Sequence, residues 1–257
     1  MRILHKPDPK VPVMNSDFWQ DNNFIINMAT AQKYNNRIFD KNLPERYLAD
    51  ERILSSQIPK LITRNSSRDE IYHAITLINS FYSTRMGADD CWRLSEIFYK
   101  KHSEIWHAIL ATDTANIDVV QSVIDAQSNA RATDTRRRVA FSFTSKYFSI
   151  LNRYIGKGDV YPIYDTLVAK MLDYYFWRLA PESYCKSYVS SCNTSAVKDY
   201  KRFYAVITTG LGWGKDYKVL DNYLWDFGRR LSENLPHRAW ATLNPAEIAN
   251  AINRVIK

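Results

Sequence analysis

Apolar residues recur every three or four positions along most of this chain, while strict apolar/polar alternation is scarce, so the pattern predicts helices and few strands. The clearest start signal is Ser67-Arg68-Asp69-Glu70, where a hydroxyl and a carboxylate three residues apart can satisfy each other's backbone amides as a capping box. Ile71, Ala74, Ile75, Ile78 and Tyr82 follow on one helical face, and that helix is expected to end near Met86 and Gly87. Upstream, Pro7, Pro9 and Pro12 withhold amide donors and predict an extended run over 1–16. Asp17 is placed to cap a helix carrying Phe18, Phe24, Ile25 and Met28 on its apolar face, and a shorter helix follows Pro44. Further helices are expected over 90–101, around 105–110 and over 117–125. Others run from 165 through Trp177 to a stop at Pro181, behind a cap at Thr194, over 216–231, and from Asn244-Pro245 onward. No repeat or low-complexity linker interrupts the series, so the chain reads as one integrated, two-lobed, all-α unit.

Composition narrows this picture. In 257 residues, 46% hydrophobic content is ample for a packed core, and seven glycines are few for a fold rich in hairpins or Rossmann turns. A net charge of +8 favours a polyanionic partner, and seventeen tyrosines add surfaces on which bases can stack. Cys91, Cys185 and Cys192 are odd in number and scattered, which argues against a disulfide framework or a four-cysteine metal site and for a reducing, cytoplasmic setting. The first residues lack the apolar core of a signal peptide, and no later run is apolar enough to span a bilayer.

Several motifs fail on context. Gly210-Leu211-Gly212-Trp213-Gly214-Lys215 is too short for a phosphate-binding loop and is followed by Asp216 instead of a hydroxyl. His102-Ser103-Glu104 matches half of a zinc deaminase signature, but the paired cysteines are missing. Five dispersed histidines give no metal cluster, and no metal or organic cofactor is expected.

The stretch 141–165 is different. Lys146 sits near the start of an apolar helix, glycines at 156 and 158 break that helix, and Asp165 opens the next one nineteen positions after the lysine. Joined by a helix and a short loop, the amine and the carboxylate can face each other at one cleft. Phe143, Tyr147, Phe148 and Ile150 surround the lysine with apolar bulk, and partial desolvation lowers an amine's pKa and frees some of its base form. Two plainer readings stand beside this one: an exposed, inert lysine, and an aspartate that only caps a helix. The run Arg136-Arg137-Arg138 just upstream reads either as a solvated face or as a phosphate contact.

Four segments together resemble the helix-hairpin-helix DNA glycosylase superfamily, and within it the 8-oxoguanine glycosylase branch. They are Thr144-Ser145-Lys146 ahead of an apolar helix, Tyr161-Pro162-Ile163-Tyr164-Asp165 ahead of the following one, Ile78-Asn79-Ser80-Phe81-Tyr82-Ser83-Thr84, and Leu220-Asp221-Asn222-Tyr223-Leu224-Trp225. The resemblance spans about 71–231. It implies two helical lobes with a cleft between them: a region 1–66 that packs with the C-terminal lobe, a central lobe 67–165 carrying the lysine, and a C-terminal lobe 166–257. It further implies a monomer that acts on double-stranded DNA, removing a damaged or modified base by flipping it out, with abasic-site lyase activity after lysine attack on the sugar C1′. A modified base of viral DNA, in a defence role, is one such substrate. Lys146 is then the nucleophile and Asp165 its electrostatic partner. Tyr82, Ser83, Thr84 and Arg85 fill the gap in the duplex, Arg136, Arg137, Arg138, Ser142, Thr144 and Ser145 hold DNA, and Trp225 or Phe227 walls the base pocket. The iron–sulfur cluster of some relatives needs four cysteines, one more than this chain has. The family's glycine-rich hairpin is replaced by Val139-Ala140-Phe141-Ser142-Phe143. The rival expectations are a catalytically silent DNA-binding module and a helical partner in a toxin or defence assembly. Steep salt dependence of DNA affinity separates these two.

Overall fold

A computed structural model describes residues 28–36, 45–82, 86–133, 140–165, 168, 171, 172 and 199–233, and for 131–133, 227 and 230–233 the backbone alone. All regular structure among them is helical, so the protein is all-α. In chain order the helices are α1 (Met28–Tyr34), α2 (Glu45–Leu61), α3 (Arg68–Tyr82), α4 (Ala88–Lys100), α5 (His102–Ile109), α6 (Ile117–Thr133), α7 (Phe141–Leu151), α8 (Tyr200–Ala205) and α9 (Tyr217–Glu233). Wide π-helical turns, Asn152–Gly156 and Val206–Gly210, extend α7 and α8. Among the described residues no helix is long and apolar enough to cross a membrane.

Helix boundaries follow local chemistry. The capping box forms as expected: the Ser67 amide donates to Glu70 Oε2 at 2.7 Å and the Glu70 amide to Ser67 Oγ at 3.3 Å, and the bonds that the carboxylate accepts from the Ser67 amide and hydroxyl draw it below its ordinary pKa. Asn79 closes the far end of the same helix by bonding both backbone groups of Met86. The helix after Pro44 is longer than expected, at 17 residues, because its apolar face continues through Leu54 and Ile58, both buried. Thr194 lies outside the described residues; α8 is capped instead by Asp199, whose carboxylate accepts from the Arg202 amide at 3.1 Å.

α7 lies at the centre. Apart from half-buried Ser142, all of its residues are buried, the polar Thr144, Ser145, Lys146 and Ser149 along with the six apolar ones. It contacts α3, α5 and α6, while its π turn packs against α2 and α5. Edge-to-face contacts of Phe98 with Phe143 and Tyr147 tie it to α4. Buried side chains from α1 through α9 form one contiguous cluster.

The loop after α7 is fixed by Asn152. Its amide nitrogen donates to the carbonyls of Ile109 at 2.8 Å and Ala111 at 2.7 Å, while its oxygen accepts from the Val160 amide at 3.1 Å. Gly156 and Gly158 are required because the chain passes so close to α5. A Cβ at Gly156 would stand 1.9 Å from the Ile109 carbonyl oxygen, and one at Gly158 would stand 2.6 Å from that of Ala111. The loop therefore leaves α7 along a single path, which returns residues 159–165 beside the helix they came from.

Candidate active site

The return path brings Asp165 to Lys146. The Ser145 hydroxyl accepts from the Tyr164 amide at 3.0 Å and shares its single proton between the Ser142 carbonyl at 2.9 Å and the Tyr164 carbonyl at 3.2 Å, locking the residue before the lysine to the residue before the aspartate. Across this latch Lys146 Nζ lies 3.8 Å from Asp165 Oδ2. Asp165 Oδ1 meanwhile accepts from the Val168 amide at 2.9 Å, so the capping role and the pairing role coexist in one carboxylate. Both side chains keep a little solvent contact, 9% for the lysine and 13% for the aspartate.

The pair faces a cavity of about 250 Å³, near the lower end of ligand-sized clefts, which begin at roughly 300 Å³. α2 contributes Tyr47, Asp50, Glu51 and Leu54; α3 contributes Phe81 and Tyr82; α9 contributes Lys218, Asp221, Asn222 and Trp225. The α9 residues sit at i, i+3, i+4 and i+7, one face of a helix whose other face buries Leu220, Tyr223 and Leu224 in the core. α1 holds α9 from behind, with the Tyr34 hydroxyl on Asp226 and the Asn35 amide donating to the Val219 carbonyl at 3.0 Å. The Tyr82 ring centroid is 5.8 Å from Lys146 Nζ, while Trp225 remains 36% exposed. Four carboxyls and two amines line the cavity, a balance that suits a group developing positive charge better than a phosphate.

A second lysine anchors the opposite wall. Lys218 Nζ donates to the Tyr47 hydroxyl at 2.6 Å and to Glu51 Oε1 at 3.3 Å, and the other Glu51 oxygen accepts from the Tyr154 hydroxyl of the π turn. Burial opposes the Lys218 charge and so does neighbouring Arg153, but Tyr82, Tyr47 and Glu51 outweigh them and its pKa is raised. Burial also acts to raise Glu51, yet Lys218 and Arg153 hold its carboxyl below the usual range. Asp159 accepts from the Lys218 backbone amide at 2.6 Å; burial pushes its own carboxyl up against the pull of that amide and of Arg153. Asp221 is pushed up to about 6, chiefly by lost solvation and next by Asp165, with Lys218, Lys146 and Arg153 opposing.

Of the residues expected at a site, Lys146, Asp165, Tyr82 and Trp225 converge on this cavity. Thr144 and Ser145 face inward instead of toward the surface: both are fully buried, and their hydroxyls are engaged inside the protein. Thr144 Oγ1 bonds Gln127 at 2.8 Å and the Ala140 carbonyl at 2.9 Å, securing the start of α7, while Ser145 forms the latch. Ser142 is half-buried on the first turn of α7 and is not among the lining residues. Ser83, Thr84, Arg85, Arg136, Arg137 and Arg138 lie outside the described residues, as does the side chain of Phe227. Sequence reasoning missed Tyr47, Asp50, Glu51, Lys218, Asp221 and Asn222. The polar stripe 218/221/222 ending in Trp225 was a usable signal for the last three, but nothing in the pattern of α2 pointed inward. Compared with protein families, curated proteins and solved structures, the chain matches none of them.

Proposed function

We propose that this protein is a DNA glycosylase with lyase capacity, of the two-lobed helix-hairpin-helix type, that everts a damaged or modified base from duplex DNA into the cavity over α7. The observation that carries the reading is the Lys146 amine 3.8 Å from the Asp165 carboxylate in a solvent-reached cavity flanked by Tyr82 and Trp225. In its base form the lysine attacks the sugar C1′. A nitrogen–carbon bond forms as the glycosidic bond breaks, and the base leaves with the bonding electrons and a proton. Asp165 faces the positive charge that develops on the sugar. The aromatic walls suit a flat heterocycle, and the net charge of +8 supports the approach of a polyanion whose phosphates stay outside the carboxyl-rich cavity.

Borohydride reduction tests this. Incubated with duplexes carrying an abasic site, oxidised or alkylated bases, or modified viral bases, the wild-type protein is expected to give a covalent DNA adduct that survives denaturing electrophoresis, and Lys146→Gln to give none. Wild-type protein that traps on no duplex, or a Lys146→Gln variant that traps as well as wild type, overturns the proposal. DNA binding without an adduct would identify a silent module instead.

A further inference from the structure

The cavity contains a carboxyl to which the mechanism above gives no task. Asp221 stands on the α9 stripe between Lys218 and Trp225 and lines the same space as Lys146 and Asp165. The other two carboxylates that meet amines here are committed. Asp165 gives one oxygen to the Val168 amide and faces Lys146 with the other, and Glu51 is held by Lys218 and Tyr154. Asp221 accepts no side-chain or backbone hydrogen bond among the described residues, and it is partly exposed to the cavity. Four charged groups act on it electrostatically: Lys218 on its own helix, Lys146 on α7, Arg153 on the π turn and Asp165 from the returning segment. Asp50 and Glu51 of α2, with the Tyr47 and Tyr82 phenols, complete the titratable ring of the cavity.

We propose that Asp221 is the proton carrier of this site: it takes the proton that Lys146 must shed before attacking, and it delivers that proton to the base as the base departs. This rests on the glycosylase reading of Lys146 and Asp165. In the first step the ammonium of Lys146 loses a proton to the Asp221 carboxylate, leaving a neutral amine and a carboxylic acid. In the second, the amine lone pair forms the bond to C1′ while the glycosidic bond breaks and its electron pair stays on the base nitrogen. The Asp221 acid protonates that nitrogen, so the base leaves neutral, the carboxylate is restored and the positive charge remains on the lysine–sugar adduct. Two carboxyls in one cavity thus divide the work: Asp165, tied to a backbone amide, stays in place opposite the amine, and Asp221 exchanges protons. Its position near 6 places that exchange close to neutral pH, where a carrier transfers in both directions.

The probe is a duplex containing one abasic site, trapped with cyanoborohydride from pH 5 to pH 8; it needs no knowledge of the natural base and removes the base-departure step while keeping the deprotonation of Lys146. Wild-type adduct formation is expected to rise with pH through a step near 6. Asp221→Asn should trap about 10–100-fold more slowly at pH 7.5 and lose the step, and Asp221→Glu should restore it. An Asp221→Asn protein with the wild-type rate and pH profile overturns the carrier while leaving the glycosylase reading intact. Absence of any wild-type adduct, here and across the lesion duplexes, removes both. As a check independent of catalysis, carboxyl NMR of aspartate-labelled protein should show a titration near 6 that Asp221→Asn lacks; a step at the ordinary aspartate position, about 4, also overturns the proposal.

Discussion

Lys146 and Lys218 reach one cavity from different helices, each opposite a carboxylate, yet they are held in different ways. Around Lys218, three elements converge: Tyr47 and Glu51 from α2, Tyr154 from the π turn through Glu51, and the Asp159 carboxylate on its backbone amide. Around Lys146, among the described residues, there is one ion pair at 3.8 Å and one ring face, and the position of its acid is set by backbone contacts through Ser145 and Val168. A cation surrounded by hydrogen-bond acceptors is stable and chemically quiet. A cation with one long contact can exchange it for a substrate. The same pair of residue types therefore serves as a brace on one wall and as candidate chemistry on the other.

Exchanging the two lysines in turn gives the largest contrast. Lys146→Gln is expected to lower adduct formation more than about 1,000-fold, as loss of a covalent nucleophile does, while costing less stability than the change at Lys218, because a 3.8 Å pair has no hydrogen bond to lose and Asp165 keeps the Val168 amide. Lys218→Gln should do the reverse. It leaves Glu51 without its ammonium and should destabilise the fold by about 3 kcal/mol, read by urea denaturation, the low end for breaking a buried pair because both side chains keep about a fifth to a quarter of their exposure. A folded Lys218→Gln protein that fails to trap DNA, beside a Lys146→Gln protein that still does, would reverse the assignment of the two walls.

Ser145→Ala tests what holds the pair together. It removes a hydroxyl that accepts from the Tyr164 amide and shares its proton between the Tyr164 and Ser142 carbonyls, and it takes that partner from the Tyr164 amide in a part-buried setting. A loss of about 1–2 kcal/mol is expected, with adduct formation about tenfold slower at unchanged DNA affinity, since Asp165 would no longer be fixed opposite the amine. Ser145→Thr, which keeps the hydroxyl, should recover the rate. Equal rates for the alanine and wild-type proteins would show that the loop glycines and Asn152 alone hold the register.

These contrasts explain what could be read from the chain. Helices announced themselves wherever an apolar period met a local start or stop signal, as in the Ser67/Glu70 box or the stripe of Ile71, Ala74, Ile75 and Ile78, because both signals act within one or two turns. Lys146 and Asp165 were legible for the same reason, being joined by one helix and one loop. Glu51 was not: it meets Lys218 across 167 positions, and on its own helix it is one charged residue among several. Thr144 and Ser145 mark the limit: a hydroxyl beside a candidate nucleophile can serve a ligand or the backbone, and the burial that turns both inward is not encoded in sequence spacing.

The smallest effect concerns stability, and it separates the two walls by pH. In the folded protein Asp221 protonates near 6, against about 4 in an unfolded chain, so between those values the native state binds a proton that the unfolded state has already released. Stability therefore falls as pH rises from about 4 to 6, and the ionised carboxylate remains a burden above that window. Asp221→Asn should abolish this slope, gaining about 1–2 kcal/mol at pH 7 and only a few tenths of a kcal/mol, roughly, at pH 4, where the folded residue is neutral and the unfolded one is half protonated. Glu51 has the opposite sign: its carboxyl is held below the ordinary value, so its contribution is present at neutral pH and is lost as pH falls through the acid range. Urea titrations of wild type and Asp221→Asn at pH 4 and pH 7 decide the point. A variant that gains stability at neutral pH while trapping DNA more slowly would place Asp221 on the reactive wall, because the charge that opposes folding would then be the one on which the rate depends. Equal gains at both pH values would mean that the residue acts through packing, and the difference between the walls would then rest on the lysines alone.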